Sequence, residues 1–327
     1  MSVASELERI ATLAAIFHGA GSLSRSGVSV GIGDDAAVLD PAALGAGVSL
    51  VWTIDEQVEG THFRREWLTW RLVGYRSFMA AASDLAAMGA EPWCALASLV
   101  LPLDLDDAAF EDLARGQREA SDAVGAPIVG GNLARGDAVS VTTTLLGRSA
   151  RPLLRTGARA GDGLWLAGEV GLAAAGLAAL LRGGEGARLA DAVDAWRSPR
   201  ARVADGRAMV AYAHAAIDIS DGLAQDISHL ARASDLCAVI DEVRLRAACP
   251  RAHSAAEALG GDALELILHG GEDYALVAAS DAPIPGFSCI GELRAGAGLV
   301  LARATGEESL APRGFDHFAP KSKGSLL

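Results

Sequence analysis

Apolar residues recur along this chain with two different periods, and the switches between them outline its elements. Leu7, Ile10, Ala14 and Phe17 fall three to four residues apart behind Ser5-Glu6-Leu7-Glu8, a capping-box pattern that predicts an amphipathic helix over 6–18. The apolar run from Val48 to Asp55 predicts a strand whose end presents Thr53 and Asp55. Helical spacing returns at Leu72, Tyr75, Met79 and Ala82, predicting a helix over 67–88, and again over 107–124, ahead of Gly125. Strand character appears at 95–101, at 128–129 before the Gly130-Gly131 pair and a polar loop, and at 138–146. This alternation makes a first α/β domain over 1–147. A second, over 148–327, opens on the turn-rich stretch 155–163 and continues with a strand at 164–167. A small-residue helix over 168–181 follows.

The bulk numbers narrow the function. The chain has 327 residues, 51% hydrophobic and 21% charged, with a formal charge of −13, as a globular protein without a broad basic surface. A general nucleic-acid or anionic-membrane binder is therefore not expected. The longest apolar run, Gly171 to Leu181, is too short to span a bilayer, and no basic leader opens the chain, so a cytoplasmic protein is expected. Cys94, Cys237, Cys249 and Cys289 are too far apart in sequence for CxxC chemistry and read as small buried side chains. The only lysines are Lys321 and Lys323, so neither a Walker-A loop nor a protein-kinase strand lysine is available. Any phosphate charge must be managed by metal ions, backbone N–H groups and arginines.

Acids recur beside glycines and apolar runs. Gly31-Ile32-Gly33-Asp34-Asp35 places two carboxylates behind two glycines, and Asp55, Asp84, Asp218, Asp221 and Glu272-Asp273 sit in comparable surroundings. Adjacent carboxylates repel, and hard divalent cations take oxygen ligands, so the pattern points to a multi-carboxylate Mg²⁺–nucleotide site. Ordinary Gly-Asp turns and acidic helix caps are the competing explanation for each stretch taken alone. Asp84 lies inside an apolar helix, where an unpartnered carboxylate is expensive. Asp218 and Asp221 bracket Ser220 ahead of a helix whose first turn holds Asp226. His62 stands in a loop, with a surface residue and a substrate contact both open.

Six strings in order resemble the thiamine-monophosphate kinases of the aminoimidazole-ribonucleotide-synthetase superfamily. They are Gly31-Ile32-Gly33-Asp34-Asp35, Asp55 with His62-Phe63, Ser83-Asp84-Leu85-Ala86-Ala87-Met88-Gly89-Ala90, Asp218-Ile219-Ser220-Asp221-Gly222-Leu223, Gly270-Gly271-Glu272-Asp273-Tyr274 and Gly314-Phe315-Asp316-His317-Phe318. The resemblance implies a two-domain α/β (α+β) fold, a homodimer joined through first-domain strands, and ATP-dependent phosphorylation of thiamine monophosphate to thiamine diphosphate. Carried over residue by residue, it implies Mg²⁺ ligands at Asp35, Thr53, Asp55, Asp84, Asp218 and Asp221, the last three also acting in catalysis. It places Gly131, Asn132, Arg155 and Ser220 against ATP, and His62, Glu272 and Phe315 against thiamine monophosphate.

Two positions depart from the family pattern: Asn132 replaces an aspartate, and Ile54 replaces a Thr or Ser before Asp55. Both belong in the family to one metal site with the residue matched by Asp55, so a weakened metal site is expected. Two other readings stay open, a superfamily enzyme with another substrate and a catalytically silent nucleotide-binding protein.

Overall fold

The computed structural model describes residues 6–17, 27–30, 32, 38–39, 41–184 and 186–315. The chain divides into two compact units, Met1–Leu85 with Ala90–Arg151, and Ala86–Gly89 with Pro152–Leu327.

The first unit holds α1 (Glu6–Phe17), β1 (Val28–Val30), β2 (Val38–Leu39), β3 (Ser49–Val58), α2 (Trp70–Ala87), β4 (Glu91–Leu101), α3 (Asp107–Val124), β5 (Ile128–Arg135) and β6 (Ser140–Ser149), with α2 ending in the second unit's segment. Its main sheet has the order β3-β6-β4-β5, antiparallel except for the parallel β4–β5 pair. The α3 helix starts where the Asp106 side chain accepts the Ala109 N–H at 2.8 Å and ends at Gly125, whose φ of 77° a side chain would resist. Helices α2 and α3 touch backbone to backbone, since a Cβ on Gly116 would lie 1.8 Å from the Arg71 carbonyl oxygen.

The glycine pair at 130–131 does not end a strand. β5 runs through it to Arg135, because pairing with β4 continues from Leu96↔Gly130 to Leu101↔Arg135. A Cβ on Gly131 would stand 1.8 Å from the Ala97 carbonyl oxygen, so the glycine is what lets the two strands come together there.

The second unit is built on a seven-stranded sheet, ordered β13-β12-β9-β11-β7-β10-β8. Its strands are β7 (Gly163–Ala167), β8 (Ala215–Ile219), β9 (Leu236–Asp241), β10 (Ala275–Ser280), β11 (Ser288–Ala295), β12 (Gly298–Arg303) and β13 (Gly306–Ser309). The helices are α4 (Leu172–Leu181), α5 (Ala190–Arg197), α6 (Val203–Met209), α7 (Leu223–Ala233), α8 (Glu242–Ala248), α9 (Pro250–Leu259) and α10 (Ala263–His269). Leu164, Leu166, Ile217, Ile219, Ile227, Leu230, Ile267 and Val277 share one buried core. The predicted helix over 168–181 begins only at Leu172, since Gly168 and Gly171 adopt φ of 93° and 85° and form the turn before it. β8 and β10 are buried along their whole length, as near-continuous apolar runs require. Asp218 is the one charged residue in either strand, and so the first place to look for function.

Candidate functional site

In the first unit, strand alternation sorts the residues flanking Asp55. Asp55, Thr143, Ala97 and Gly131 form one cross-strand row, while Ile54, Thr144, Leu96 and Gly130 form the next. Successive residues face opposite sides of a sheet, so Thr53 and Asp55 share the inner face and Ile54 points away from them, 68% exposed. The Thr53 hydroxyl donates to Asp84 Oδ2, joining the strand to α2. Buried Arg76 donates from Nε to Gln57 Oε1 at 3.3 Å, and Gln57 Nε2 donates to Asp55 Oδ1 at 3.4 Å. His62 accepts the Val58 N–H on Nδ1 at 3.0 Å, which leaves the proton of the neutral ring on Nε2.

The expected coupling of Ile54 and Asn132 to Asp55 takes a different form here. Asn132 sits in the row Glu56–Thr142–Ser98–Asn132, on the same exposed face as Ile54. Within one sheet, neither side chain faces the group formed by Thr53, Asp55 and Asp84. Gly131 does belong to the inner row.

In the second unit, three loops meet. Ser220 and Asp221 follow the end of β8, and Asp226, in the first turn of α7, gathers their backbone. Its Oδ2 accepts the N–H groups of Ser220, Asp221 and Gly222 at 3.1, 3.2 and 3.2 Å. This carboxylate therefore holds its own loop rather than offering a ligand. Burial, and then the charges of Asp221 and Asp218, push it up to about 8, so negative charge is crowded here. Glu272 crosses the same loop: its N–H donates to the Ser220 carbonyl at 2.8 Å, and the Tyr274 N–H donates to that of Ile219 at 2.9 Å. Both residues have positive φ, 66° and 49°, conformations that cost about 1–3 kcal/mol each and gather at ligand sites. The Phe315 N–H reaches the Asp221 carbonyl at 3.0 Å, and Gln225 Nε2 bridges Asp221 Oδ2 and the Phe315 carbonyl at 3.2 and 3.1 Å. Asp218, Ser220, Asp221, Glu272 and Phe315 thus come together.

Asp273 does something else. Its carboxylate accepts the Gly171 and Ala173 N–H groups at 2.6 and 3.0 Å and caps α4, while burial pushes it up to about 7. The second acid of the Glu272-Asp273 pair is structural. Trp196, without a signal in the sequence, is buried and donates its indole N–H to Glu272 Oε2 at 2.6 Å. Arg155 is exposed, its carbonyl accepting the Ser234 hydroxyl at 3.4 Å. Asp35 and the stretch 316–318 lie outside the described residues. Among the described residues no three His, Cys, Asp or Glu side chains form a preassembled metal cage.

The donors present nevertheless suit Mg²⁺. They are hard oxygens, and the buried Thr143 hydroxyl next to Asp55 in the cross-strand row has no hydrogen-bond partner.

Residues 33–149, most of the first unit, match the family described as AIR synthase related protein, N-terminal domain. Thiamine-monophosphate kinase of Mycobacterium tuberculosis is 38% identical over 306 residues, 91% of this chain and 89% of that protein. Thiamine-monophosphate kinase of Escherichia coli is 35% identical, covering 90% and 94%. The solved structure of AaThiL complexed with AMPPCP and TMP superposes with a TM-score of 0.78 at 30% identity, covering 84% of this chain and 89% of that one. The chain belongs to the thiamine-monophosphate kinase family.

Proposed function

We propose that this protein transfers the γ-phosphoryl group of ATP to the phosphate of thiamine monophosphate, giving thiamine diphosphate and ADP. The observation that carries the reading is the convergence of Asp218, Ser220, Asp221, Glu272 and Phe315 on one set of loops, in a chain 38% identical to a thiamine-monophosphate kinase along most of its length. An oxygen of the accepting phosphate forms the new bond to phosphorus as the bond to the ADP oxygen breaks. That oxygen is already anionic, so no side chain has to act as a strong base. Catalysis then consists of alignment and charge neutralisation, which suits a chain whose lysines are confined to residues 321 and 323.

Asp35, Thr53, Asp55 and Asp84 in the first unit, and Asp218 and Asp221 in the second, are the oxygen donors we assign to Mg²⁺. When bound, the ions supply charge neutralisation for the polyphosphate. Ser220, Gly131 and Arg155 are assigned to ATP, whereas Asn132, expected beside them, has its side chain on the opposite, exposed face of the sheet. Ser220 is held by the carboxylate of Asp226, and Gly131 brings bare backbone to the inner face of the sheet. His62, with its proton on Nε2, donates to the substrate, while Glu272 and Phe315 receive the vitamin portion. A cytoplasmic location goes with this use of ATP, and among the described residues no helix is long and apolar enough to cross a membrane.

A homodimer through the first-unit sheet is part of the same reading. Leu50, Trp52, Ile54 and Leu96 expose 50%, 75%, 68% and 37% of their surface on one face, an apolar patch that a second copy would cover. The test of the function is product formation: protein, ATP, Mg²⁺ and thiamine monophosphate should yield thiamine diphosphate. Tight ATP binding without product would instead support the silent nucleotide binder.

A further inference from the structure

Glu272 is held from two sides by one helix pair. Asp273, the next residue, caps the first turn of α4 through Gly171 and Ala173, and Trp196, near the end of α5, reaches Glu272 itself. The two helices are in backbone contact, since a Cβ on Gly176 of α4 would stand 2.0 Å from the Ala192 carbonyl oxygen of α5. Trp196 is 1% exposed, so its ring has one position, and its N–H meets Glu272 Oε2 at 2.6 Å. A flexible carboxylate on a positive-φ residue is thereby given a defined direction.

We propose that Trp196 is a positioning residue for substrate recognition: its indole N–H orients Glu272 toward the cationic, amine-bearing portion of thiamine monophosphate, away from the phosphates. The inference rests on the assignment of Glu272 to the substrate. An indole donor suits this task because it has no acceptor atom and no charge, so it directs the carboxylate without neutralising it. The negative charge stays available to a cation.

The test is a double-mutant cycle read by calorimetry, with dissociation constants for thiamine monophosphate and for Mg²⁺-ATP measured separately on the full chain. Trp196→Phe should weaken thiamine monophosphate binding about tenfold, the worth of one charge-assisted hydrogen bond, and leave Mg²⁺-ATP binding within about twofold. In a Glu272→Gln background the same change should add less than about twofold. Equal weakening in both backgrounds would make Trp196 a packing residue only and overturn the inference. If Glu272→Gln leaves thiamine monophosphate binding unchanged, the assignment of Glu272 itself has failed, and the inference falls with it. Should Trp196→Phe fold poorly, indole N–H resonances give an independent reading: Glu272→Gln should shift one of them, and thiamine monophosphate should move that same resonance. An indole spectrum unmoved by Glu272→Gln would overturn the proposed contact.

Discussion

Replacing Trp52 by aspartate tests the proposed self-association. The Trp52 ring lies on β3, at the edge of the four-stranded sheet, held by its Nε1 donating to Thr144 Oγ1 at 2.7 Å, yet it remains 75% exposed. A buried tryptophan contributes about 150–250 Å², so covering three quarters of it removes roughly 110–190 Å² from water. At about 25 cal/mol per Å² that is ~3–5 kcal/mol per copy, of which ordering costs leave about 2 kcal/mol as observed binding energy. A twofold interface uses the residue twice, so Trp52→Asp should weaken dimerisation by ~4 kcal/mol, about a thousandfold in Kd. Sedimentation velocity on both proteins between nanomolar and tens of micromolar should show a dimer for the parent and a monomer for the variant, with unchanged far-UV circular dichroism. A parent chain that stays monomeric, or a variant that dimerises as tightly, would refute the reasoning.

Asp84→Asn keeps the shape of the acceptor for the Thr53 hydroxyl but removes its charge, and should lower turnover about a hundredfold or more with the fold intact by circular dichroism. Asp273 gives a pH dependence: its folded value is raised from 3.8 to about 7, so the folded state keeps a proton that the unfolded chain has released. Stability should therefore fall as pH rises across that window, by about 4 kcal/mol for this group, and Asp273→Asn should flatten the decline in urea titrations. Burial pushes the Cys94 and Cys249 thiols up to about 11 and about 12, whereas Cys237 and Cys289 are half-exposed. Iodoacetamide on the native protein should label the latter pair first, as peptide mapping will show; early labelling of Cys94 would contradict the burial.

Hydrophobic period was a good guide where an element covers its own signal. The helix expected over 107–124 ahead of Gly125 is α3, which buries Phe110, Leu113 and Ala114 along one face. It failed where pairing decides. The Gly130-Gly131 pair looks like a strand end, but the close approach to Ala97 that excludes a side chain is invisible until β4 is beside it. Alanine-rich α9 and the short strands β12 and β13 offer too little contrast between their faces to be separated from turns.

The candidate site was legible as residue types and less so as roles. The Ser220-Asp221 pair, Glu272 and Phe315 are far apart in sequence and meet through backbone hydrogen bonds, which no side-chain pattern encodes. Two acids that looked equivalent to their neighbours, Asp226 and Asp273, turn to backbone N–H groups instead, Asp226 from the first turn of its own helix and Asp273 by reaching the start of α4 from the loop before β10. Ile54 was expected as a missing metal ligand beside Asp55, and strand alternation turns its side chain to the exposed face, away from Thr53 and Asp55. Two of the four cysteines are not the buried side chains that their sequence setting suggested.

Direct transfer is tested most sharply by single-turnover chemistry with γ-³²P-labelled ATP, Mg²⁺ and excess thiamine monophosphate. Label is expected in thiamine diphosphate, formed in step with ADP, with none retained on the acid-quenched protein. Label found only in inorganic phosphate, or carried on the protein before it reaches the vitamin, would contradict direct transfer.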